Sequence, residues 1–475
     1  MKRFIITILL LAFAGLSFGA ENLPAIIPLP RKVVCKGKIA FTLTESTRIL
    51  LPRNDKVLRR TAEIFVQTIA REQNLMLKIR EKDSGEIRLT VDPQLAEEAY
   101  RLDITASGID IRGGSSAGVF YGLQSFRQLL AQYGTVLPAL QIEDAPSFGY
   151  RGAMLDCGRH FFTVDEIKTF IDLLALHKIN RFHWHLTEDQ GWRIEIRRYP
   201  ELTKIGSQRS ETVLGNNSPA YDGTPYGGYY TQDQLRDVVT YAAERFIVII
   251  PEIEMPGHAS AAIAAYPWLG STDEKIKVPC TFGVKNSAFN VADPRTRTFL
   301  KDVLDEVMEL FPSRIIHIGG DEVRQEQWNN SSEVRTFMKE KGINSAAELQ
   351  MWFTNHIASY LKSKGRIMMG WNDITGDKLH GYQSEVTIEA GNQLSEDAVV
   401  QFWTGNHDLL RKAAKRGYKI VNSYFKYTYL NFNHDRITPG LEYDFEPIPL
   451  EKAYAFNPIP EGLTMQEQKQ IIGIG

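Results

Sequence analysis

From Tyr150 onward, short apolar runs alternate with longer stretches in which apolar residues recur every three or four positions. The short runs are typical of buried parallel strands, and the longer stretches are typical of the amphipathic helices that connect them. Eight runs predict an α/β fold, a (β/α)8 barrel of the TIM type: GAMLDC, RFHWHLT, FIVIIPEIEM, RIIHIGG, RIMMGW, AVVQFW, YKIVNS and IIGIG. Helices are predicted at DEIKTFIDLLALHKI, QLRDVVTYAAERF, TRTFLKDVLDEVMELF, AAELQMWFTNHIASYLKSKG and DLLRKAAKRG, with no clear helix between the fifth and sixth strands.

Residues 21–145 have a different pattern. YRLDIT and IDIRG alternate apolar and polar positions around a turn, which predicts a β-hairpin, and SSAGVFYGLQSFRQLL follows with helical spacing. The linker EDAPSFGYRG is punctuated by Pro146 and two glycines. We therefore expect a small α+β domain over 21–145 and a catalytic barrel over 146–475.

The two ends of the sequence carry separate expectations. Residues 1–20 place Lys2 and Arg3 before an apolar run that ends in small residues, which predicts a cleaved signal peptide and a secreted or periplasmic protein. A retained membrane anchor is the alternative, but the run is slightly short and no later segment is long and apolar enough to span a membrane. The eighth strand ends the sequence at Gly475 without its outer helix, so we expect a C-terminally truncated barrel.

Charge and cysteine content exclude some classes of protein. Lys and Arg number 55 against 57 Asp and Glu, a formal charge of −2, so the positive excess that binding to a phosphate backbone needs is absent. We expect no nucleic-acid partner. Cys35, Cys157 and Cys280 are too few for a disulfide framework and too widely spaced for a metal ribbon.

Polar and aromatic residues follow the predicted strands at their carboxyl ends, where the active sites of (β/α)8 barrels lie. This pattern predicts a ring of functional groups. They are Arg159, His160, Glu188, Asp189, Glu254, His258, Asp321, Glu322, Trp371, Asp373, Trp403 and residues 424–429.

The adjacent acids Asp321 and Glu322 are the strongest signal in this ring. Gly319 and Gly320 allow the backbone to turn just before them, so both carboxyl groups can enter one pocket. Two close carboxyl groups oppose each other's ionisation, which raises one pKa and yields an acid that works near neutral pH beside a group that stays charged.

A metal site is the rival interpretation. His183 and His185 lie on one face of the second strand, and His258, His317 and Asp321 are further candidate ligands for a metal-dependent hydrolase. The histidine pair, however, lies about two layers inside the barrel, where satisfied core histidines are common. We therefore expect neither a metal nor an organic cofactor.

Five motifs, in this order, carry a resemblance to a known family: RGAMLDCGRHFF, NRFHWHLTEDQGWR, PEIEMPGH, HIGGDEV and GWND. The chain resembles the β-N-acetylhexosaminidases of glycoside hydrolase family 20 from about Arg151 to its end, and the preceding α+β segment is similar to their N-terminal domain. The resemblance implies a substrate-assisted retaining mechanism, in which the 2-acetamido oxygen of the sugar attacks its own anomeric carbon.

By this resemblance, Glu322 is the general acid and base, and Asp321 holds the acetamido N–H and stabilises the oxazolinium intermediate. The residues themselves agree, because the longer carboxyl reaches outward to the glycosidic oxygen while the shorter one stays ionised beside it. Arg159 matches the arginine that grips the ring hydroxyls. His258 matches a histidine linked to the acid and to a carboxylate of the second strand, here Glu188, where many members have aspartate; Asp189 is the second candidate.

The resemblance also implies how the rest of the sugar pocket is built. Trp371 and Trp403 match tryptophans that wall the acetamido pocket, and Tyr429 matches a tyrosine that orients the acetamido oxygen. Asn431 stands where many members have an aspartate that contacts outer sugar hydroxyls. The sequence ends before the Trp-x-Glu that follows the eighth strand in the family.

The predicted function is removal of terminal N-acetylglucosamine or N-acetylgalactosamine from the non-reducing ends of glycans. The main alternative is a catalytically impaired glycan-binding homologue, because the residues that complete the sugar pocket are not reached. A metal-dependent barrel hydrolase is the third interpretation.

Overall fold

The computed structural model describes residues 23–81, 85–215, 218–272, 274–383, 393–432 and 446–475. The predicted signal peptide lies outside the described residues. The chain forms two compact units, and the sequence passes from the first to the second between Ser147 and Phe148. No helix in the described ranges combines the length and the apolar character needed to cross a bilayer.

The first unit is a seven-stranded mixed sheet with two long helices, which confirms the predicted α+β architecture. The predicted hairpin is present: Tyr100–Thr105 pairs antiparallel with Gly108–Gly113. The remaining strands are Lys32–Thr42, Arg48–Leu50, Lys78–Arg80, Ile87–Val91 and Val136–Asp144, and the helices are Lys56–Gln73 and Ser116–Tyr133.

The second unit is a closed barrel of eight parallel strands, and each predicted run overlaps one of them, although the first strand begins two residues before its run, at Tyr150. In chain order they are Tyr150–Asp156, Arg181–His185, Val248–Glu252, Ile315–His317, Ile367–Trp371, Val399–Phe402, Lys419–Asn422 and Ile471–Ile474. The eighth strand closes the barrel on the first, with Gly473 opposite Tyr150 and Ile474 opposite Arg151. The (β/α)8 fold is therefore confirmed, while truncation after the eighth strand stays a prediction.

All five predicted helices of this unit are present, at Val164–Leu176, Gln232–Ala243, Pro294–Leu310, Ala346–Ser363 and His407–Lys415. Between the fifth and sixth strands the described residues contain one 3-10 turn, Asn372–Thr375. Shorter helices lie at Glu201–Lys204, Ser260–Ala265, Pro267–Leu269 (3-10), Glu326–Asn330, Ser332–Lys341, Phe425–Thr428, Leu450–Tyr454 and Met465–Gln468. Two short antiparallel pairs join Thr187–Glu188 to Gly191–Trp192 and Gln208–Arg209 to Tyr226–Gly227.

The interior of the barrel holds both apolar and polar side chains. An apolar cluster of Tyr150, Ile250, Met369, Val399 and Val421 fills one level. The barrel also contains buried polar side chains, namely His183, His185, Glu252 and His317. The barrel interior therefore combines an apolar cluster with a group of buried polar side chains.

A buried arginine fixes the loop that follows the first barrel strand. The guanidinium of Arg193 is inaccessible to solvent and donates hydrogen bonds to the carbonyls of Cys157 (3.0 Å), Gly158 (2.9 Å), Ser207 (2.7 Å) and Gly228 (3.1 Å). Because a buried guanidinium is costly unless its donors are satisfied, these carbonyls must stay where they are. The chain that leads to Arg159 is held in place by this contact.

Candidate active site

The turn after the fourth strand brings the two adjacent acids into one pocket. Gly319 and Gly320 have φ of 64° and 89°, and Glu322 itself has φ of 51°. A Cβ atom on Gly319 would lie 1.7 Å from Oε2 of Glu254, so the position requires glycine for space as well as for conformation. The predicted turn is therefore present, and the buried Glu254 is the reason for it.

His258 lies between the acid pair and the acids of the second strand. Its Nε2 is 3.5 Å from Oδ2 of Asp321 and 3.6 Å from Oε2 of Glu322. Its Nδ1 is 2.9 Å from Oε1 of Glu188 and 3.1 Å from Oδ2 of Asp189. Both candidates for the linked carboxylate thus contact the ring, and the hydrogen bond is made with Asp189.

The charges around this histidine explain its ionisation. Burial alone would lower the pKa of His258, but the carboxylates of Glu188, Asp189 and Asp321 outweigh it and raise that pKa well above its usual value. For Asp189, burial raises the pKa, and this effect is outweighed by hydrogen bonds from His258 and from Ser260, whose backbone N–H donates at 3.0 Å. The pair is held as imidazolium and carboxylate.

Arg159 faces the same pocket from the first strand. Its guanidinium pairs with Oδ2 of Asp156 at 2.6 Å and with Oε1 of Glu188, and its Cζ lies 5.6 Å from the ring centroid of Phe282. The side chain remains partly exposed. A guanidinium that is fixed on one side and open on the other suits paired hydroxyl groups.

Asp373, at the start of the loop after the fifth strand, connects three parts of the site. Its Oδ1 accepts a hydrogen bond from the backbone N–H of Glu322 at 3.1 Å and lies 2.9 Å from Nε2 of His380. Its Oδ2 accepts from the indole Nε1 of Trp403 at 3.0 Å. One buried carboxylate therefore positions an acid, an imidazole and an aromatic wall.

The predicted aromatic residues lie together on one side of the acids. The rings of Trp371 and Trp403 are 6.4 Å apart at 71°, and those of Trp403 and Tyr429 are 6.1 Å apart at 14°. Nε1 of Trp371 donates to Oε1 of the buried Glu252 at 2.9 Å. Asn431 is exposed, and the described residues show no hydrogen bond from it to this cluster.

The histidines of the rival metal interpretation face carboxylates inside the barrel. Nε2 of His183 lies 2.9 Å from Oε2 of Glu252, and Nδ1 of His317 lies 2.8 Å from its Oε1. His185 faces Glu252 at 3.6 Å and Glu254 at 3.4 Å. The ligand atoms of His183 and His317 group with Glu252, whereas those of His258 and Asp321 group with Glu322. The five residues of that interpretation therefore do not form a single ligand set.

The ionisation of the acid pair differs from the order expected from the sequence. Burial, together with Asp373 and Glu322, raises the pKa of Asp321. Burial also acts to raise the pKa of Glu322, but the neighbouring His258, His380 and Arg159 outweigh it and lower that pKa. The two pKa shifts favour a proton on Asp321 in this arrangement of the pocket, whereas the roles expected from the sequence, an ionised Asp321 beside a protonated Glu322, stay a prediction. Burial is the largest cause of the raised pKa of Asp321, and Asp373, whose contacts the sequence does not reveal, adds to it.

Some residues of the site were missed by sequence reasoning. Glu252 lies within PEIEMPGH at the end of the third strand, so its place there was a usable signal, whereas Glu254 and Asp373 already belong to the predicted ring of functional groups. His380 carries no such signal, because it lies in an irregular loop beyond the fifth strand. The structure brings together the site residues that the resemblance assigns, except the exposed Asn431, whereas His160 of the predicted ring packs against Tyr226 instead.

The fold and the site define a class, the (β/α)8 barrels with an acid pair and an imidazole at the carboxyl ends of the strands. Comparison with known families identifies the family within this class. The profile of the glycosyl hydrolase family 20 catalytic domain matches residues 148–475, and that of domain 2 of the same family matches residues 23–145. The chain belongs to glycosyl hydrolase family 20.

Individual relatives agree with this assignment. The chain is 37% identical to a β-hexosaminidase of Porphyromonas gingivalis, over 94% of this chain and 56% of that protein. It is also 37% identical to a β-hexosaminidase of Vibrio furnissii, over 82% of this chain and 62% of that protein. It thus spans between half and two thirds of the length of these relatives.

Solved structures are also similar to this chain. A family 20 exo-β-N-acetylglucosaminidase of Vibrio harveyi, solved with N-acetylglucosamine, has a TM-score of 0.80 at 33% identity and covers 94% of this chain and 68% of its own. A β-N-acetylhexosaminidase of Bacteroides fragilis has a TM-score of 0.78 at 33% identity, and the match covers 94% of this chain and 84% of that one.

The glycine turn provides a test of the site's construction. Gly319→Ala should unfold at a lower temperature than Gly342→Ala, although both glycines have similar positive φ, 64° and 67°. Gly342→Ala meets no atom within 4 Å, so it should cost only the conformational penalty of about 1–2 kcal/mol. Gly319→Ala adds the collision with Glu254, which we expect to cost about 1–3 kcal/mol more. Equal melting temperatures for the two variants would show that Glu254 does not constrain the turn.

Proposed function

We propose that this protein is an exo-acting β-N-acetylhexosaminidase that removes a terminal N-acetylhexosamine by a substrate-assisted retaining mechanism. The observation that carries the proposal is the turn that brings Asp321 and Glu322 into one pocket, beside His258 and the wall formed by Trp371 and Trp403. The pocket offers paired carboxyl groups next to flat apolar surfaces, which suits a charged reaction centre beside an acetamido methyl group.

The similar proteins support the choice of sugar. Two relatives are named β-hexosaminidases, and the Vibrio harveyi structure contains N-acetylglucosamine. We extend the proposed substrates to glycans that end in N-acetylgalactosamine, because the described pocket recognises the acetamido side of the sugar with Trp371, Trp403 and Tyr429, and the two sugars are identical there.

The first chemical step uses both acids. The acetamido oxygen attacks the anomeric carbon, the bond to the leaving oxygen breaks, and Glu322 donates its proton to that oxygen. Asp321 accepts the acetamido N–H and stabilises the positive charge of the oxazolinium that forms. In the second step Glu322 takes a proton from water as the water attacks the same carbon, which restores the acetamido group and retains the β configuration.

This mechanism requires the sugar to reverse the proton distribution of the pocket. An acetamido N–H that donates to Asp321, followed by positive charge on the oxazolinium, lowers the pKa of Asp321. A sugar that removes water from Glu322 raises the pKa of that acid. His258 faces both carboxyl groups at 3.5 and 3.6 Å, so its positive charge stabilises whichever of them is ionised.

The remaining residues have supporting roles in this proposal. Arg159 binds the ring hydroxyls with the donors that Asp156 and Glu188 leave free. The pKa of Tyr429 is raised well above its usual value by burial and by Asp321 and Glu322, so its hydroxyl stays protonated and can donate to the acetamido oxygen. Trp371 and Trp403 confine the methyl group.

We also propose that the protein is exported, to the periplasm or to the medium, after cleavage near Gly19 or Ala20. The support is the cationic, apolar and small-residue order of the first 20 residues. N-terminal sequencing of the protein recovered outside the cytoplasm should begin at residue 20 or 21. Recovery of only an uncleaved chain beginning at Met1 would contradict the proposal.

Glu322→Gln tests the proposed acid. Turnover of an aryl N-acetyl-β-glucosaminide should fall by about 10²–10⁴, because a general acid–base group contributes this much. Binding of N-acetylglucosamine, measured by calorimetry, should change little. Glu326→Gln is the matched control, since Glu326 begins the next helix and faces Arg324 at 3.7 Å.

The same assay distinguishes the mechanism. The first product seen by proton NMR should be the β anomer, and an aryl β-glucoside, which lacks the acetamido group, should not be hydrolysed. An α anomer as the first product, or near-normal turnover by Glu322→Gln, would refute the proposal. Binding without turnover by the unaltered chain would favour the glycan-binding alternative.

Asp373→Asn tests the charge balance of the pair. The pH profile of kcat/KM reports the ionisation of the free enzyme, and its alkaline limb marks the loss of the proton held by the two acids. Asp373 helps to raise the pKa of Asp321, so removal of its charge should move this limb to lower pH. Asp377→Asn, in the same loop and paired with Lys412, should leave the limb in place. A limb that is unchanged or moves to higher pH in Asp373→Asn would contradict the assignment.

A further inference from the structure

The pocket contains three ligand atoms that lie within 4.8 Å of one another, close enough to hold one metal ion. They are Nε2 of His258, Oδ2 of Asp321 and Oε2 of Glu322. We propose that these atoms bind a zinc ion that inhibits the protein, a regulation of the active site that rests on the proposed function.

The two distances from His258 fit this ion. Zinc binds imidazole nitrogen at about 2.0–2.1 Å and carboxylate oxygen at about 2.0–2.2 Å with tetrahedral angles, so neighbouring ligand atoms lie about 3.4 Å apart. Nε2 of His258 lies 3.5 Å from the oxygen of Asp321 and 3.6 Å from that of Glu322. These separations are longer than a hydrogen bond and close to those across a zinc ion.

The second ring nitrogen of His258 is also held by a carboxylate, as it is in most histidines that bind zinc. A metal-binding histidine almost always gives its other ring nitrogen to a carboxylate, which fixes the orientation of the ring. Nδ1 of His258 makes this contact with Asp189 at 3.1 Å, and the backbone N–H of Ser260 holds Asp189 at 3.0 Å. The series Ser260, Asp189, His258 thus presents Nε2 to the pocket in a fixed direction.

The ligand atoms are available. The side chain of His258 is 3% exposed, and its Nε2 makes no hydrogen bond among the described residues. Asp321 and Glu322 are 15% and 23% exposed, so solvent reaches the pocket from their side and leaves the fourth position open to water. The set formed by His183, Glu252 and His317 differs, because it is wholly buried and its imidazoles already contact the carboxylate at 2.8 and 2.9 Å.

The local charge favours a divalent cation. The carboxyl groups of Glu188, Asp189, Asp321, Glu322 and Asp373 outnumber the cations Arg159, His258 and His380 that face them. Zinc must displace the proton from His258, so binding replaces one positive charge, the proton, with the two positive charges of the ion. The bound ion would occupy both acids, so it excludes the acetamido group and the leaving oxygen together.

The test measures metal binding apart from turnover. Zinc chloride titrated into the full chain in a calorimeter should show one site, magnesium chloride should show none, and cobalt should give the absorption of a tetrahedral ion. In assays zinc should raise KM for the aryl substrate and leave kcat unchanged. Binding without inhibition would overturn the inhibitory role, and an inactive chain that still binds zinc would refute only the proposed function.

Variants locate the site. His258→Gln and Asp321→Asn, each checked for folding by circular dichroism, should abolish zinc binding, and Asp189→Asn should weaken it by about 10-fold or more. His356→Gln is the matched control, because Nε2 of His356 also lacks a hydrogen bond but faces the cations Lys301 and Arg297. Unchanged zinc affinity in His258→Gln, or a loss in His356→Gln, would refute the proposed ligands.

Discussion

The site depends on keeping several carboxyl groups close together in a pocket that is largely closed to solvent. Such an arrangement is unstable unless cations and hydrogen-bond donors compensate for the charge. His258 and Arg159 provide this compensation, and both contact Glu188, which makes that buried glutamate the common partner of two cations from different loops. The loops after the first, second and third strands converge because these charges must be paired.

The double glycine after the fourth strand follows from the same constraint. Glu254 occupies the space that a side chain on Gly319 would need, and burial, Asp321 and Glu252 raise the pKa of Glu254 well above its usual value. These neighbours therefore disfavour a further negative charge beside the acid pair. The backbone then turns around Glu254 and directs Asp321 and Glu322 into the pocket.

The barrel could be predicted from the sequence because each strand is a continuous apolar run, which is a local signal. The acid pair could be predicted as well, since two glycines before two acids at a strand end form a local pattern. The contacts of Asp373 could not, because they join loops that are separated by up to 51 residues along the chain. Asp373 also adds to the raised pKa of Asp321, an effect that no local pattern in the sequence indicates. His380 was missed for the same reason, and Asn431, placed by resemblance, lies exposed.

The shared carboxylate of Asp373 has a consequence for how this pocket can diversify. The same side chain holds the backbone of the proposed acid and the indole of Trp403. If the protein acts as proposed, a mutation that moves Trp403 to admit a bulkier acyl group would also disturb the support of the proposed proton donor. Under the proposed function, substrate range and reaction rate are therefore linked through one side chain, and an evolving lineage could widen the first only by rebuilding the support of the second.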